Sequence, residues 1–209
     1  MSANVQHFDG HKKASRRKRR IWHHLLRSRD GAAAIEFAIL SVPYFVIVFA
    51  IFETFAAYTA EQLVTNAVNS MARELRTGNI TYNLGRTTDM TETEFRTAFC
   101  GEVSIMIACS ASEADTPAKL YLDVETLPSF KAIADKASIP RLGGDFSDLD
   151  TSAFHFAPGG PNSINLLRAY YRWNITFDLI RAITHVRPDS DTQQFLIIAT
   201  TAFKSEDYP

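Results

Sequence analysis

Residues Ala34–Phe52, AIEFAILSVPYFVIVFAIF, decide the fold. They are 19 residues with one charge, Glu36, and 12 of them are Ile, Leu, Val or Phe. At roughly −0.3 to −0.6 kcal/mol each for insertion into lipid, these twelve supply about −4 to −7 kcal/mol, enough to offset a carboxylate near one end and Pro43. Nineteen helical residues span about 28 Å, close to the hydrocarbon thickness of a bilayer. The soluble alternative, a buried core helix, needs every face covered by protein. A removable signal peptide fits less well, because the apolar run exceeds 7–15 residues and no small-x-small site follows it.

The flanks give the span a direction. The net charge of the 209-residue chain is −1. Residues 1–31 nevertheless carry nine Lys or Arg against Asp9 and Asp30, a charge of +7, and residues 32–209 carry −8. Basic residues before the span and few after it place the N-terminus in the cytoplasm and the acidic remainder across the membrane. The same cluster suits anionic lipid headgroups. A nucleic-acid reading of Arg16–Arg20 rests on composition alone, and beside a membrane span it gives way to the lipid reading. The expected divisions are a basic cytoplasmic leader (1–31), a transmembrane helix (32–58) and an extracytoplasmic domain (59–209).

The helix is expected to continue past the bilayer. Ala60, Leu63, Val64, Ala67, Val68, Met71, Ala72 and Leu75 form a stripe of 3.6-residue period, with Arg73 and Arg76 in the last turn and Gly78-Asn79 as a left-handed stop. This predicts one helix over about 32–77, roughly 69 Å long. Its first half is apolar all round and its second half on one face, so either the chain's own domain or neighbouring copies must cover the stripe.

A second helix is signalled at Thr91-Glu-Thr-Glu94, a capping box with Met90 placed to staple to Phe95, running to about Phe99. Cys100 and Cys109 are the only cysteines. In an oxidising space they form a disulfide, which requires a turn near Gly101. A metal site is disfavoured, since two cysteines with no adjacent histidine leave coordination incomplete. Strands are expected at Leu120–Val124, alternating with solvated Tyr121, Asp123 and Glu125, and at Ile164–Trp173 and Gln194–Phe203. An irregular stretch covers Ile139–Pro161, and 174–187 is ambiguous, with FDLIRAI readable as a short helix. The fold class is α+β: a long N-terminal helix packed on a small antiparallel sheet.

Glu36 is the chemically odd residue, because a carboxylate at the end of an apolar span is expensive. A chain cut after Gly31 would carry a new α-amine on Ala32, one helical turn from Glu36, and pairing would relieve both charges. The pattern of basic leader, Gly31, four small or apolar residues, Glu36 and an aromatic resembles type IV prepilin-like proteins. The variant GAAAIEFAILSVPYF resembles the TadE-like pseudopilins of the Tad (Flp) pilus secretion system, and the ending ATTAFKSEDY is similar to that family's last strand and tail. The cysteine pair and acidic outer domain also fit. The resemblance implies a pilin-like fold in a bacterial inner membrane, with the C-terminal domain periplasmic. It implies cleavage after Gly31 by a prepilin peptidase, with Ala32 the mature N-terminus. The implied partners are other pilin-like subunits and Tad assembly platform proteins, with membrane lipid and no nucleic acid. The 31-residue leader, containing Trp22, His23 and His24, is longer than the pattern.

Other motifs are weak. Asp145-Phe-Ser-Asp148-Leu-Asp150 lacks the spacing of a calcium loop. His155 and His185 have no nucleophile or metal partner nearby in sequence. Asn79-Ile-Thr81 and Asn174-Ile-Thr176 match a glycosylation pattern that chance supplies readily, and Tyr170, Tyr171 and Trp173 read as sheet packing. No phosphate loop, nucleotide fingerprint or nucleophile elbow appears, so no enzyme activity and no cofactor are expected. The alternative to a pilin-like assembly protein is an uncleaved, membrane-anchored binding module, which requires a formed pocket within 80–209.

Overall fold

The computed structural model describes residues 29–110, 112–136, 138–143, 147–174 and 194–208. Most of the leader, and all but Asn174 of the ambiguous segment 174–187, lie outside them. The chain divides into two units, Met1–Phe49 and Ala50–Pro209. The first contains the start of helix α1, which spans Arg29–Thr77. No glycine lies between Gly31 and Gly78, and Pro43 is the one breaker inside the helix. Proline removes only a single i→i−4 hydrogen bond, and the turns on both sides hold.

The second unit is built on the far part of α1. Its stripe is buried as the periodicity predicts: Ala60, Val64, Val68 and Leu75 are core residues, and Leu63 packs at the margin. The domain's own residues supply the cover. Phe95, Phe99 and Val103 come from α2 (Glu92–Val103), and Leu122, Val124, Leu167, Ala169 and Ile197 from the sheet. The capping box is formed, with Glu94 N donating to Thr91 Oγ1 at 3.3 Å and Thr91 N to Glu94 Oε2 at 2.7 Å.

The strands are β1 (Leu120–Leu127), β2 (Phe156–Ala157), β3 (Ile164–Asn174) and β4 (Gln194–Lys204), in sheet order β2-β1-β3-β4. β1–β3 and β3–β4 are antiparallel. β2, however, runs parallel to β1, with Val124 opposite Phe156, so the sheet is mixed rather than purely antiparallel. A parallel neighbour needs a long crossover. Residues 128–155 provide it, passing through the short helix α3 (Phe130–Asp135). The stretch 139–161 is therefore less irregular than its sequence, holding β2 and an Arg141–Leu149 bridge.

Two other expectations are corrected. Leu120, Leu122 and Val124 do face the core, but Asp123 and Glu125 are buried too, at 2% and 6% exposure. Their face of the sheet is covered by α3 and by Phe154, which stacks on Tyr170 at 5.1 Å. α2 also does not turn at Gly101. It continues to Val103, and the reversal follows, with Met106 and Ile107 N–H both directed at the Val103 carbonyl. Burying Phe99 and Val103 offsets the roughly 1 kcal/mol that an interior glycine costs a helix.

The C-terminal tail closes the far end of α1. Ile80 N donates to the Glu74 carbonyl at 3.1 Å and Glu206 N to the Arg76 carbonyl at 2.9 Å, satisfying groups that a helix end leaves open. Gly78 is left-handed at φ 78°, and a Cβ there would stand 2.6 Å from the Tyr208 ring. Gly85 has a similar φ of 74° with open space around it. The two glycines separate strain from clash. Gly85→Ala is expected to cost about 1–2 kcal/mol, the left-handed penalty alone. Gly78→Ala should cost distinctly more and release Tyr208. Equal denaturation midpoints for the two variants would contradict the packing of the tail on α1.

Candidate functional site

Within Ala32–Phe52 Glu36 is the only charged residue, and the large side chains stand open. Phe37 is 71% exposed and Leu40 70%. An apolar surface continuing around every side of a helix is far beyond the patches a water-soluble monomer tolerates. Serine and threonine hydroxyls along it bond back to the helix: Ser41 Oγ donates to the Ala38 carbonyl at 3.2 Å, Thr54 Oγ1 to Ala50 at 2.9 Å and Thr59 Oγ1 to Phe55 at 2.8 Å. Such bonding satisfies hydroxyls where no water is available. The helix is long and apolar enough to cross a membrane, with none of its apolar window buried in protein, as a single-pass anchor requires.

The expected processing residues lie at the start of this helix. Gly31 is its third residue, and Ala32 and Glu36 stand at i and i+4, on one face a single turn apart. Glu36 itself is exposed. Residues 31–73 match the model of the TadE-like protein family. The match begins at Gly31 and ends at Arg73, covering the apolar segment and most of the buried stripe, and it meets the resemblance read from GAAAIEFAILSVPYF. No curated protein and no solved structure matches the chain. The TadE-like segment supports involvement in a Tad pilus-related function and association with Tad pilus components.

In the second unit Cys100 and Cys109 are bonded, with Cα atoms 5.9 Å apart, tying the end of α2 to the segment that leads into β1. That segment is fixed by a contact the sequence reading missed. Glu113 Oε1 accepts from the N–H groups of Ala118, Lys119 and Leu120 at 2.9, 2.7 and 2.8 Å. Burial alone would raise its pKa, but the three donors and the Lys119 charge outweigh burial and hold it below the ordinary 4.5. Asp89 does the same for the loop after α1. The Thr81 hydroxyl lowers its pKa against a desolvation cost, helped by the N–H groups of Arg86, Gly85 and Leu84.

A second missed feature lies on the sheet face away from α1. Asp123 Oδ2 accepts from Arg168 Nε at 3.2 Å and Nη2 at 2.6 Å, and Glu125 pairs with Lys136. Arg168 Nη1 reaches the Lys136 carbonyl at 3.1 Å. Two carboxylates thus meet two cations, and the group joins β1, β3 and the end of α3. Beside it is a cavity of about 300 Å³ lined by Ile133, Ile139, Leu166, Ile198 and Thr200.

The weaker motifs find ordinary partners. Asp148 is held by Arg172 at 3.0 Å, Asp150 accepts from Ser152, and Asp145 lies outside the described residues. His155 Nδ1 is 2.8 Å from the Ala153 carbonyl, and His185 is outside the described residues. Asn79, the acceptor of one glycosylation pattern, is exposed and donates through Nδ2 to Glu74 Oε2 at 2.9 Å, while Thr81 of the same pattern is buried. Tyr171 and Trp173 pack on the core side of β3, as sheet residues.

Replacing Cys100 and Cys109 together by serine is expected to lower stability by about 2–3 kcal/mol, the loop-closure value for so short a ring. The check is the denaturation midpoint with and without reductant. A wild-type midpoint indifferent to reductant would remove the bond's structural role.

Proposed function

We propose that this protein is a minor pilin-like (pseudopilin) component of Tad/Flp pilus biogenesis, processed after Gly31 by a prepilin peptidase. The carrying observation is the TadE-like match, which starts at Gly31 and runs along an apolar helix whose one charge is Glu36. The basic leader keeps the N-terminus in the cytoplasm, so the helix is held in the inner membrane and the disulfide-bonded domain lies in the periplasm. The protein works by assembly rather than catalysis. Its apolar helix associates with those of other pilin-like subunits and with the assembly platform, and Ala32, Ala33, Ala34, Ala38 and Ser41 allow close approach in lipid.

Glu36 acts through charge. Hydrolysis after Gly31 creates an ammonium on Ala32 one turn away, and the carboxylate neutralises it within one subunit or between neighbours. Glu36 then also sits in the first turn of the mature helix, where a negative charge complements the dipole.

A second reading, an uncleaved membrane-anchored binding module, draws on the cavity beside Ile133 and Ile198. The N-terminal residue of protein recovered from its native membrane separates the two: Ala32 supports the pilin-like reading, and Met1 supports the binding module.

Gly31→Leu is expected to abolish maturation, seen as full-length protein on a gel; unchanged processing in this variant would refute Gly31 as the cleavage-site residue. Glu36→Ala should insert into the membrane normally yet impair pilus output, measured as surface pilin per cell. Wild-type output from that variant would remove the amine-pairing role.

A further inference from the structure

β4 is the last strand of the sheet, and among the described residues nothing pairs with its outer edge. In an antiparallel ladder successive residues turn their N–H and C=O alternately toward one side and the other. Ser205 N donates to the Ser163 carbonyl at 2.8 Å, in continuation of the β3–β4 register, so Phe203, Thr201, Ala199 and Ile197 face β3. Glu206, one step on, directs its N–H away from β3 to the Arg76 carbonyl, as the alternation requires. Leu196, Ile198, Thr200 and Ala202 therefore present both backbone groups outward. Sheets ordinarily blunt such an edge with shortness, proline, charge or a bulge. β2, at the other edge, is only two residues long. β4 has none of these devices. It is 11 residues without glycine or proline, in unbroken register with β3, and its one charge, Lys204, is its final residue. Thr200 and Ala202 are exposed.

We propose that this edge is a self-association surface, on which β4 of a second copy of the chain pairs across a two-fold axis to make one continuous sheet. The pairing goes beyond the pilin-like reading and holds whether or not the chain is cleaved. Three features select a second copy as the occupant. Its edge carries the same donors and acceptors at the same spacing, so a two-fold axis supplies each unmet group with a partner. Residues 194–203 are uncharged, so no like charges oppose one another along the middle of the pair. An identical membrane anchor also sets an identical edge at the same height above the bilayer, a match that a different protein would have to reproduce separately. The contact area sets the conditions. An edge of 11 residues at about 3.3 Å each, in a sheet about 10 Å thick, offers roughly 350 Å² per partner. A standard interface buries about 800 Å² per partner, so this pairing is weak between free molecules and needs the confinement of a shared bilayer. Ile198 and Thr200 also line the cavity beside α3, and a second strand extends that wall.

The test uses the full-length chain in bilayer vesicles. The chain's two cysteines are bonded to each other, so an introduced thiol is the free one. Thr200 is near the middle of the edge and stands beside its own counterpart whichever way the second strand runs. Oxidation of Thr200→Cys is expected to give a disulfide-linked dimer on a non-reducing gel, and Lys131→Cys, exposed on α3, to give none. Energy transfer between donor- and acceptor-labelled Lys131→Cys copies reads association without oxidation. Thr200→Lys sets a charge against its like, and Thr200→Pro deletes an outward N–H that no bond inside the domain uses. Both are expected to bring transfer down to that of random mixing, with the denaturation midpoint near wild type. The pairing is overturned if Thr200→Cys is crosslinked no better than Lys131→Cys, or if both Thr200 variants transfer as wild type does. Oxidation in native membranes tests the occupant: Thr200→Cys joined to a different protein, in place of its own copy, overturns self-association.

Discussion

An apolar surface that encircles a helix has to be removed from water on every side, whereas an apolar stripe needs only one wall. α1 makes both demands within one uninterrupted element. From Ile35 to Tyr58 its large side chains stand exposed around the axis, and from Ala60 to Leu75 only one face is apolar and that face is buried. The rest of the second unit answers the second demand. α2 contributes Phe95 and Phe99, the sheet contributes Leu122, Val124 and Leu167, and the tail returns to cap the carbonyls of the last turn. Lipid is the medium that answers the first demand without a matching protein wall.

That division explains which features were readable in advance. Helix periodicity, the Thr91–Glu94 capping box and the left-handed stop at Gly78 are local signals: each is complete within a few residues, and each is present in the structure. β1, β3 and β4 were legible because 8–11 residues of aliphatic and aromatic sequence suffice to mark a strand. β2 was not, since two residues carry no period, and its place beside Val124 is set by the crossover. The same holds for Asp123 and Glu125. Alternation along β1 marks them as a solvated face, and only the docking of α3, with Lys136 and Arg168 as counter-charges, makes burying them tolerable.

The polar contacts that fix the outer domain share one design. Glu113 gathers three N–H groups from the start of β1, and Asp89 gathers three from the loop after α1. Asn165, at the start of β3, accepts from the Gly159 N–H and donates to the Ser205 hydroxyl. Each uses one short side chain to satisfy backbone donors or acceptors that no ladder reaches. Sequence composition cannot announce them, because Glu, Asp and Asn are common on any surface. Glu36 differs in being a lone charge within a long apolar run, so its anomaly is visible without the fold.

The reach of the TadE-like match follows from the same physics. It ends at Arg73, within α1, and does not extend into the elements that pack on the helix. Residues before the stripe answer to fixed external quantities: the thickness of a bilayer and the cost of a charge within it. The stripe sets looser terms for its cover. Its contact residues include Ala60, Ala67 and Ala72, which leave shallow hollows, and cores of the right volume and polarity can be filled in many ways at small energetic cost. The apolar run thus meets terms set by lipid, while the sheet that covers the far end of α1 has only to be apolar, to fit, and to close over the last turn.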